Sequence, residues 1–271
     1  MKKAILFGTS LALVLSLFGC GGQSSDTPPS ASEPVEPLSA DEVKKMYSSP
    51  KDYKGSFVEL SGIVFGGVEY DDDGLYFQMF GDPTNMDMNT LVGYDDPAFE
   101  LEDDQYVKLT GEVIDVYEGE NLLGGKVVAP VIRADSLEVS SYIDVVSPTL
   151  ATAQAATPSV DQHGYVVTID KAELSATETR LYVSVTNNGS SSFSVYPFSM
   201  RIVQDGSQHE ETTNFDADYP ELQSDILPGV TTEGVVTFPP LQNAPFTVLV
   251  EGRSDDWDED FKDYTFELAF E

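Results

Sequence analysis

The nine residues FVELSGIVF, Phe57–Phe65, alternate one side chain up and one down, the period of a β-strand. Val58, Leu60 and Val64 share one face, with Gly62 among them. A glycine inside a strand permits a sharp bend of the kind that closes a barrel. The pattern repeats on both sides of this run. Leu75–Phe80 (LYFQMF) follows the turn signal Asp71-Asp-Asp-Gly74, and Thr90–Tyr94 (TLVGY) is a third run. Tyr106–Val116 (YVKLTGEVIDV) is the longest and carries Gly111 near its middle, and Val131–Val139 (VIRADSLEV) closes the set. Five short strands, with glycine inside the first and fourth (Gly62, Gly111), predict a small and strongly coiled barrel. Before them, Ser39-Ala-Asp-Glu42 has the spacing of a capping box and predicts a short helix over Asp41–Tyr47, which Pro50 stops from running on.

The second half is also all strand. Tyr165–Leu174 leads to Arg180–Thr186, where Leu181, Val183 and Val185 face one way and Tyr182, Ser184 and Thr186 the other. Asn187-Asn-Gly189 is a turn signal, and Asp205-Gly206 closes a strand region over Phe193–Gln204 as a hairpin. Further runs lie at Gly234–Phe238, Phe246–Glu251 and Tyr264–Phe270. Roughly seven strands of this kind predict a two-sheet sandwich. The fold class expected is therefore all-β, a barrel followed by a sandwich.

Two resemblances sharpen this. YKGSFVELSGIV, DDQYVKLTGEVIDV and APVIRADSLEV, within 50–140, resemble the OB-fold domains related to tRNA-anticodon-binding domains, in the version carried by bacterial envelope lipoproteins. DQHGYVVTIDKAEL, TRLYVSVTNNGSSSFSVYPF, NFDADYPELQSDILPGVTTEGVVTFPPL and RSDDWDEDFKDYTFEL, across 158–271, resemble an immunoglobulin-like domain of unknown function from Gram-positive lipoproteins. That family is distantly similar to a secreted mycobacterial immunoprotective antigen. The resemblances imply a five-stranded OB-like barrel with a short helix and a C-terminal immunoglobulin-like β-sandwich. The second family brings no catalytic or binding residues with it.

The N-terminus sets the expected location. MKKAILFGTSLALVLSLFGC has a basic start at Lys2 and Lys3 and an apolar stretch too short and interrupted for a membrane span, as in a secretory signal. Its end, Leu17-Phe-Gly-Cys20, resembles the lipobox of bacterial lipoproteins, with Cys20 as the lipidated residue and the membrane as partner through that anchor. Each methylene buried in lipid contributes about 0.8 kcal/mol. The expected organisation is a signal peptide over 1–19, a Pro/Ser-rich tether over 20–38, the barrel over 39–146, a low-complexity linker over 147–158 (SPTLATAQAATP in its sequence), and the sandwich over 159–271. Cys20 is the single cysteine, which excludes an internal disulfide, a zinc–thiolate site and a cysteine nucleophile elsewhere in the chain.

Charge excludes one class of partner. There are 14 Lys and Arg against 47 Asp and Glu, a net charge of −33. The acid is even: 7 basic and 23 acidic residues in 41–147, 5 and 21 in 158–271, so −16 in each half. Such a surface repels nucleic acids, whose binding needs phosphate neutralisation, and attracts divalent cations and cationic partners.

Motifs for chemistry are thin. Gly119-Glu-Asn-Leu-Leu-Gly124-Gly-Lys126 mimics a phosphate-binding loop, but it lies between two expected strands, Gly125 breaks the spacing, and Val127 replaces the magnesium-binding hydroxyl. His209-Glu-Glu-Thr-Thr213 begins like a zincin helix but lacks the second histidine, and His163 sits in an expected turn. Asp256-Trp-Asp258-Glu-Asp260 has the D-x-D-x-D spacing of a calcium loop, with Glu267 at the twelfth position and Phe261 where a glycine should be; Asn85–Asn89 with Asp96 matches as loosely. Asp256, Asp258 and Asp260 are the metal candidates, with calcium as the ion; the competing reading is a solvated acidic loop with Trp257 folded onto the domain. The function expected is a non-enzymatic cell-envelope lipoprotein that binds a protein or envelope component. A calcium-dependent module and a hydrolase with an unrecognised site are the alternatives.

Overall fold

The structure, a computed structural model, describes residues 36–120 and 125–270. The signal segment, Cys20, the tether up to 35, and Asn121–Gly124 of the glycine-rich hairpin lie outside the described residues.

The first half is a closed barrel of β1 (Phe57–Tyr70), β2 (Leu75–Asp82), β3 (Asp87–Tyr94), β4 (Tyr106–Glu120) and β5 (Lys126–Ser140), hydrogen-bonded in the order β1-β2-β3-β5-β4. The first strand closes the ring because it serves two neighbours. Its residues 57–63 pair with β4 and its residues 63–70 with β2. The circuit is completed by a parallel contact between Leu91–Tyr94 and Val131–Ala134. Both glycines read as bend positions sit where neighbouring backbone leaves no room for a side chain. A Cβ on Gly62 would lie 2.4 Å from the Phe80 carbonyl oxygen, and one on Gly111 2.3 Å from that of Arg133. Gly111 also borders a bulge in β4–β5 pairing, which increases local twist. Alternation buries Val58, Leu60, Val64, Leu75, Phe77 and Met79 inside, and α1 (Ala40–Ser48) contributes Met46 to this core. The Glu42 carboxylate accepts the Ser39 amide at 2.9 Å at the start of α1.

The second half begins earlier than composition suggests. Within the segment 147–158, expected to be a linker, Ala151–Ala155 forms a strand, β6, and Ala153 is fully buried. The reason lies in ATAQA itself. Alanine alternates with polar residues, so the stretch has a strand's period with side chains small enough for a crowded seam. Residues 153–155 pair with β17 (Tyr264–Phe270) and residues 151–153 with β8 (Tyr165–Leu174). β6 thus stitches two leaves into one hydrogen-bonded sheet. One leaf is β8, β9 (Thr179–Asn187) and β14 (Thr231–Phe238), with β7 (Ser159–Gln162) paired to β8; the other is β17, β15 (Phe246–Val250), β11 (Arg201–Gln204) and β12 (Ser207–Glu210). Their apolar faces meet in a single core that includes Val167, Ile169, Val183, Val248 and Phe266. A small sheet of β10 (Phe193–Val195), β13 (Asp225–Ile226) and β16 (Gly252–Ser254) adds Phe193 and Ile226. This half is divided more finely than the expected seven runs, because Pro197 starts a short 3-10 turn that splits the Phe193–Gln204 run.

Barrel and sandwich belong to one compact unit, Glu36–Glu271. A short helix, α2 (Tyr142–Val145), joins them directly after β5.

Candidate functional site

A cleft of about 740 Å³ opens where the two halves meet. The barrel supplies the turn before β4, the end of β5 and the start of α2; the sandwich supplies β8, β9, β14 and the segment 216–220. Four tyrosines line it: Tyr106, Tyr142, Tyr182 and Tyr219. Three of them form an edge-to-face series across the junction, Tyr106 to Tyr142 at 5.8 Å and Tyr142 to Tyr219 at 6.1 Å between ring centres.

The tyrosines are held by a buried polar network centred on Arg180, whose side chain has no solvent exposure. Its Nη1 donates to the Ser147 carbonyl at 2.8 Å, the Ser147 hydroxyl at 2.9 Å and Glu178 Oε1 at 3.2 Å. Its Nη2 donates to the Thr149 hydroxyl at 2.7 Å and Glu173 Oε2 at 3.3 Å. Each carboxylate then fixes one tyrosine of the cleft. The Tyr219 hydroxyl donates to Glu178 Oε1 at 2.5 Å and the Tyr182 hydroxyl to Glu173 Oε2 at 2.9 Å. Asn214 bridges Glu178 and the Tyr142 hydroxyl at 2.7 and 3.0 Å. A buried guanidinium paired with two carboxylates, all multiply hydrogen-bonded, is the arrangement that makes such burial tolerable. With three hydroxyls engaged in this way, Tyr142, Tyr182 and Tyr219 present mainly ring surface to the cleft.

Five carboxylates complete the lining: Asp104, Asp170, Asp216, Asp218 and Glu233. Among the described residues, no Lys or Arg lines the cleft, and none of the five carboxylates forms an ion pair. Partial burial, with the Glu233 charge adding to it, raises the Asp170 carboxyl above its ordinary value. Burial likewise raises all four tyrosine hydroxyls, helped at Tyr106 by Tyr142, Asp216 and Asp104 and at Tyr219 by Glu178. At neutral pH the cleft is therefore a set of neutral phenols under a negative rim.

The residues singled out from sequence lie elsewhere. Asp256, Asp258 and Asp260 occupy a loop closed by its own turn bonds, with Asp258 N–H donating to Asp256 Oδ1 at 3.0 Å and the Ser254 hydroxyl to Glu259 Oε2 at 2.6 Å. Among the described residues, no three His, Cys, Asp or Glu side chains group closely enough to hold a metal ion. Trp257 is 97% exposed rather than folded onto the domain, because the turn at Asp256 directs it into solvent. Asn85 is tied to Asp82 by 3.2 and 2.9 Å hydrogen bonds in the turn between β2 and β3. His163 takes a left-handed backbone, φ 57°, and its Nε2 bonds the Asp260 carbonyl oxygen at 3.0 Å. His209 lies on the edge strand β12 opposite Ile202. Among the described residues, no hydrogen bond joins either histidine to a Ser or Asp side chain. Lys126 pairs with Glu120 at the start of β5, so a strand follows the glycine-rich motif where a phosphate loop needs a helix.

The cleft's own residues escaped the sequence pattern. Tyr182 stands on the polar phase of β9, and Tyr219 in the run NFDADYPEL, where acids and aromatics alternate without secondary structure to frame them. A tyrosine on the wet face of a strand beside acidic loops was the available signal. Across known proteins, no family model, no curated sequence and no solved structure matches this chain.

Proposed function

We propose that this chain is an exported, lipid-anchored envelope protein that binds rather than catalyses, and that it takes its ligand in the cleft between barrel and sandwich. The observation that carries this is the cleft itself: a concave site of ligand-binding size, rigid aromatic walls, and unpaired charge of one sign. The Leu17–Cys20 lipobox supports the anchor and the exported location through its resemblance to that of bacterial lipoproteins, and the resemblance of 158–271 to an immunoglobulin-like domain of Gram-positive lipoproteins supports a Gram-positive envelope. The barrel's strand order and its bend glycines support an OB-like reading, and the two leaves joined through β6 support an immunoglobulin-like one.

A photo-crosslinking side chain at Val139, which lines the cleft and is 47% exposed, tests the site in cells. The expected result is a discrete adduct there and none from the same group at Asp52, at the far end of the barrel. Equal labelling at both positions, or none at Val139, refutes the assignment. Cys20→Ser should move the protein from the membrane to the soluble fraction.

A further inference from the structure

We infer that the ligand of this cleft is a small organic polycation, with primary or secondary ammonium groups along an aliphatic stem. The inference rests on the cleft being the binding site proposed above, and adds its chemistry.

Three observations point to that class. Charge is the first. Asp104, Asp170, Asp216, Asp218 and Glu233 line the cavity, and two bases in contact with its supporting network are already committed: Arg180 to Glu173 and Glu178, and Lys171 to Glu173. The cleft thus has negative charge to complement and, among the described residues, no basic side chain in its lining to neutralise an anion. Spacing is the second. The carboxylates come from four stretches of the chain, at 104, 170, 216–218 and 233, and among the described residues no three of them group as a metal site. A compact divalent ion needs several oxygens converging within about 2.6 Å of one point. Separated carboxylates suit separated ammonium groups instead.

The aromatic wall is the third observation. Lys171 Nζ lies 4.4 Å from the centre of the Tyr182 ring, with Glu173 Oε1 at 2.5 Å. The protein's own ammonium is therefore held by a tyrosine face and a carboxylate together, and the ring that holds it is one of the four that line the cleft. Tyr106, Tyr142 and Tyr219 offer further ring surface beside further carboxylates, with the aliphatic stem of a polyamine laid along the apolar parts. A volume of about 740 Å³ is of the size that small-molecule ligands occupy.

The test is calorimetric titration of the full chain in neutral detergent at 0.15 M salt, with spermidine, with its neutral triacetyl derivative and with magnesium. Saturable one-to-one binding of spermidine is expected, and at least tenfold weaker binding of the other two. Asp170→Asn, Glu233→Gln and Tyr106→Ala should each weaken spermidine about five- to tenfold. Asp170 and Glu233 stay in large part accessible to solvent, and among the described residues their carboxylates make no ion pair, so those two variants keep the fold. Asp52→Asn, distant from the cleft, should change it less than about twofold, the scale on which a screened surface charge acts. Magnesium bound as well as spermidine, or Asp52→Asn as damaging as Asp170→Asn, would make the attraction a diffuse counter-ion effect and overturn the inference. Equal binding of the triacetyl derivative, lost with Tyr106→Ala, would overturn the cationic class and leave the binding cleft standing. Absence of any spermidine binding overturns the inference as well, while the crosslinking result decides the cleft separately.

Discussion

Replacing Arg180 with methionine should destabilise the protein more than any surface change. Methionine keeps much of the volume and removes the charge. Arg180 is fully buried, and the Glu173 and Glu178 side chains are only 12% and 8% exposed. Removing one partner of a buried ion network typically costs about 3–5 kcal/mol. Glu173 retains Lys171, Tyr182 and Thr149, and Glu178 retains Tyr219 and Asn214, so the low end applies, about 3 kcal/mol. At roughly 2–4 °C per kcal/mol for a unit of this size, the midpoint should fall by about 6–12 °C. Calorimetry at low and at 0.5 M salt should give the same loss, because a buried network is screened far less than a surface pair. Adding Glu178→Gln to Arg180→Met should raise the midpoint relative to the single variant, since the amide no longer needs a cation while Tyr219 and Asn214 still hydrogen-bond it. A loss under about 1 kcal/mol for Arg180→Met, or a double variant less stable than the single one, would refute the view of Arg180 as the hub of the junction.

Three further tests address the fold and the site. Ala153→Pro should disrupt the second half, because residue 153 pairs on both sides of β6 and is buried; heat-denaturation profiles indistinguishable from the parent would restore the linker reading. Gly111→Ala should cost about 1–3 kcal/mol, since its Cβ would meet the Arg133 carbonyl oxygen; a neutral result in chemical denaturation would mean that the barrel relaxes there. Asp170→Asn should raise stability at pH 7 by a few tenths of a kcal/mol. The Asp170 carboxyl is raised by burial and Glu233, so the folded state holds its proton more tightly than the unfolded one. Stability therefore falls as pH rises from the ordinary carboxylate value, 3.8, through the higher folded-state one, and stays lower above it. A midpoint for Asp170→Asn below the parent's at pH 7, with the pH slope unchanged, would contradict this.

What could be read directly from the sequence was whatever repeats at short range. The alternation in FVELSGIVF and YVKLTGEVIDV marks strands, Gly62 and Gly111 mark bends in them, and Ser39 with Glu42 starts a helix one residue from its observed edge. Charge and the single cysteine also belong to the sequence alone, since neither depends on the fold. The failures had a common cause. ATAQA reads as low complexity because alanine gives almost no hydrophobic signal, and its strand appears only when β17 and β8 offer two edges to pair with. Asp256, Asp258 and Asp260 have a calcium loop's spacing in one dimension but do not converge in three. The cleft draws on residues from 104 to 235, carried by both halves. Tyr106 and Tyr219 are unremarkable on their own segments. They become one surface because Arg180 pulls Ser147 and Thr149 onto the sandwich, and so sets the barrel's last helix against it. Local sequence determines the elements through sterics and periodicity. The site depends on contacts between residues far apart in the chain, and no local rule of spacing encodes those.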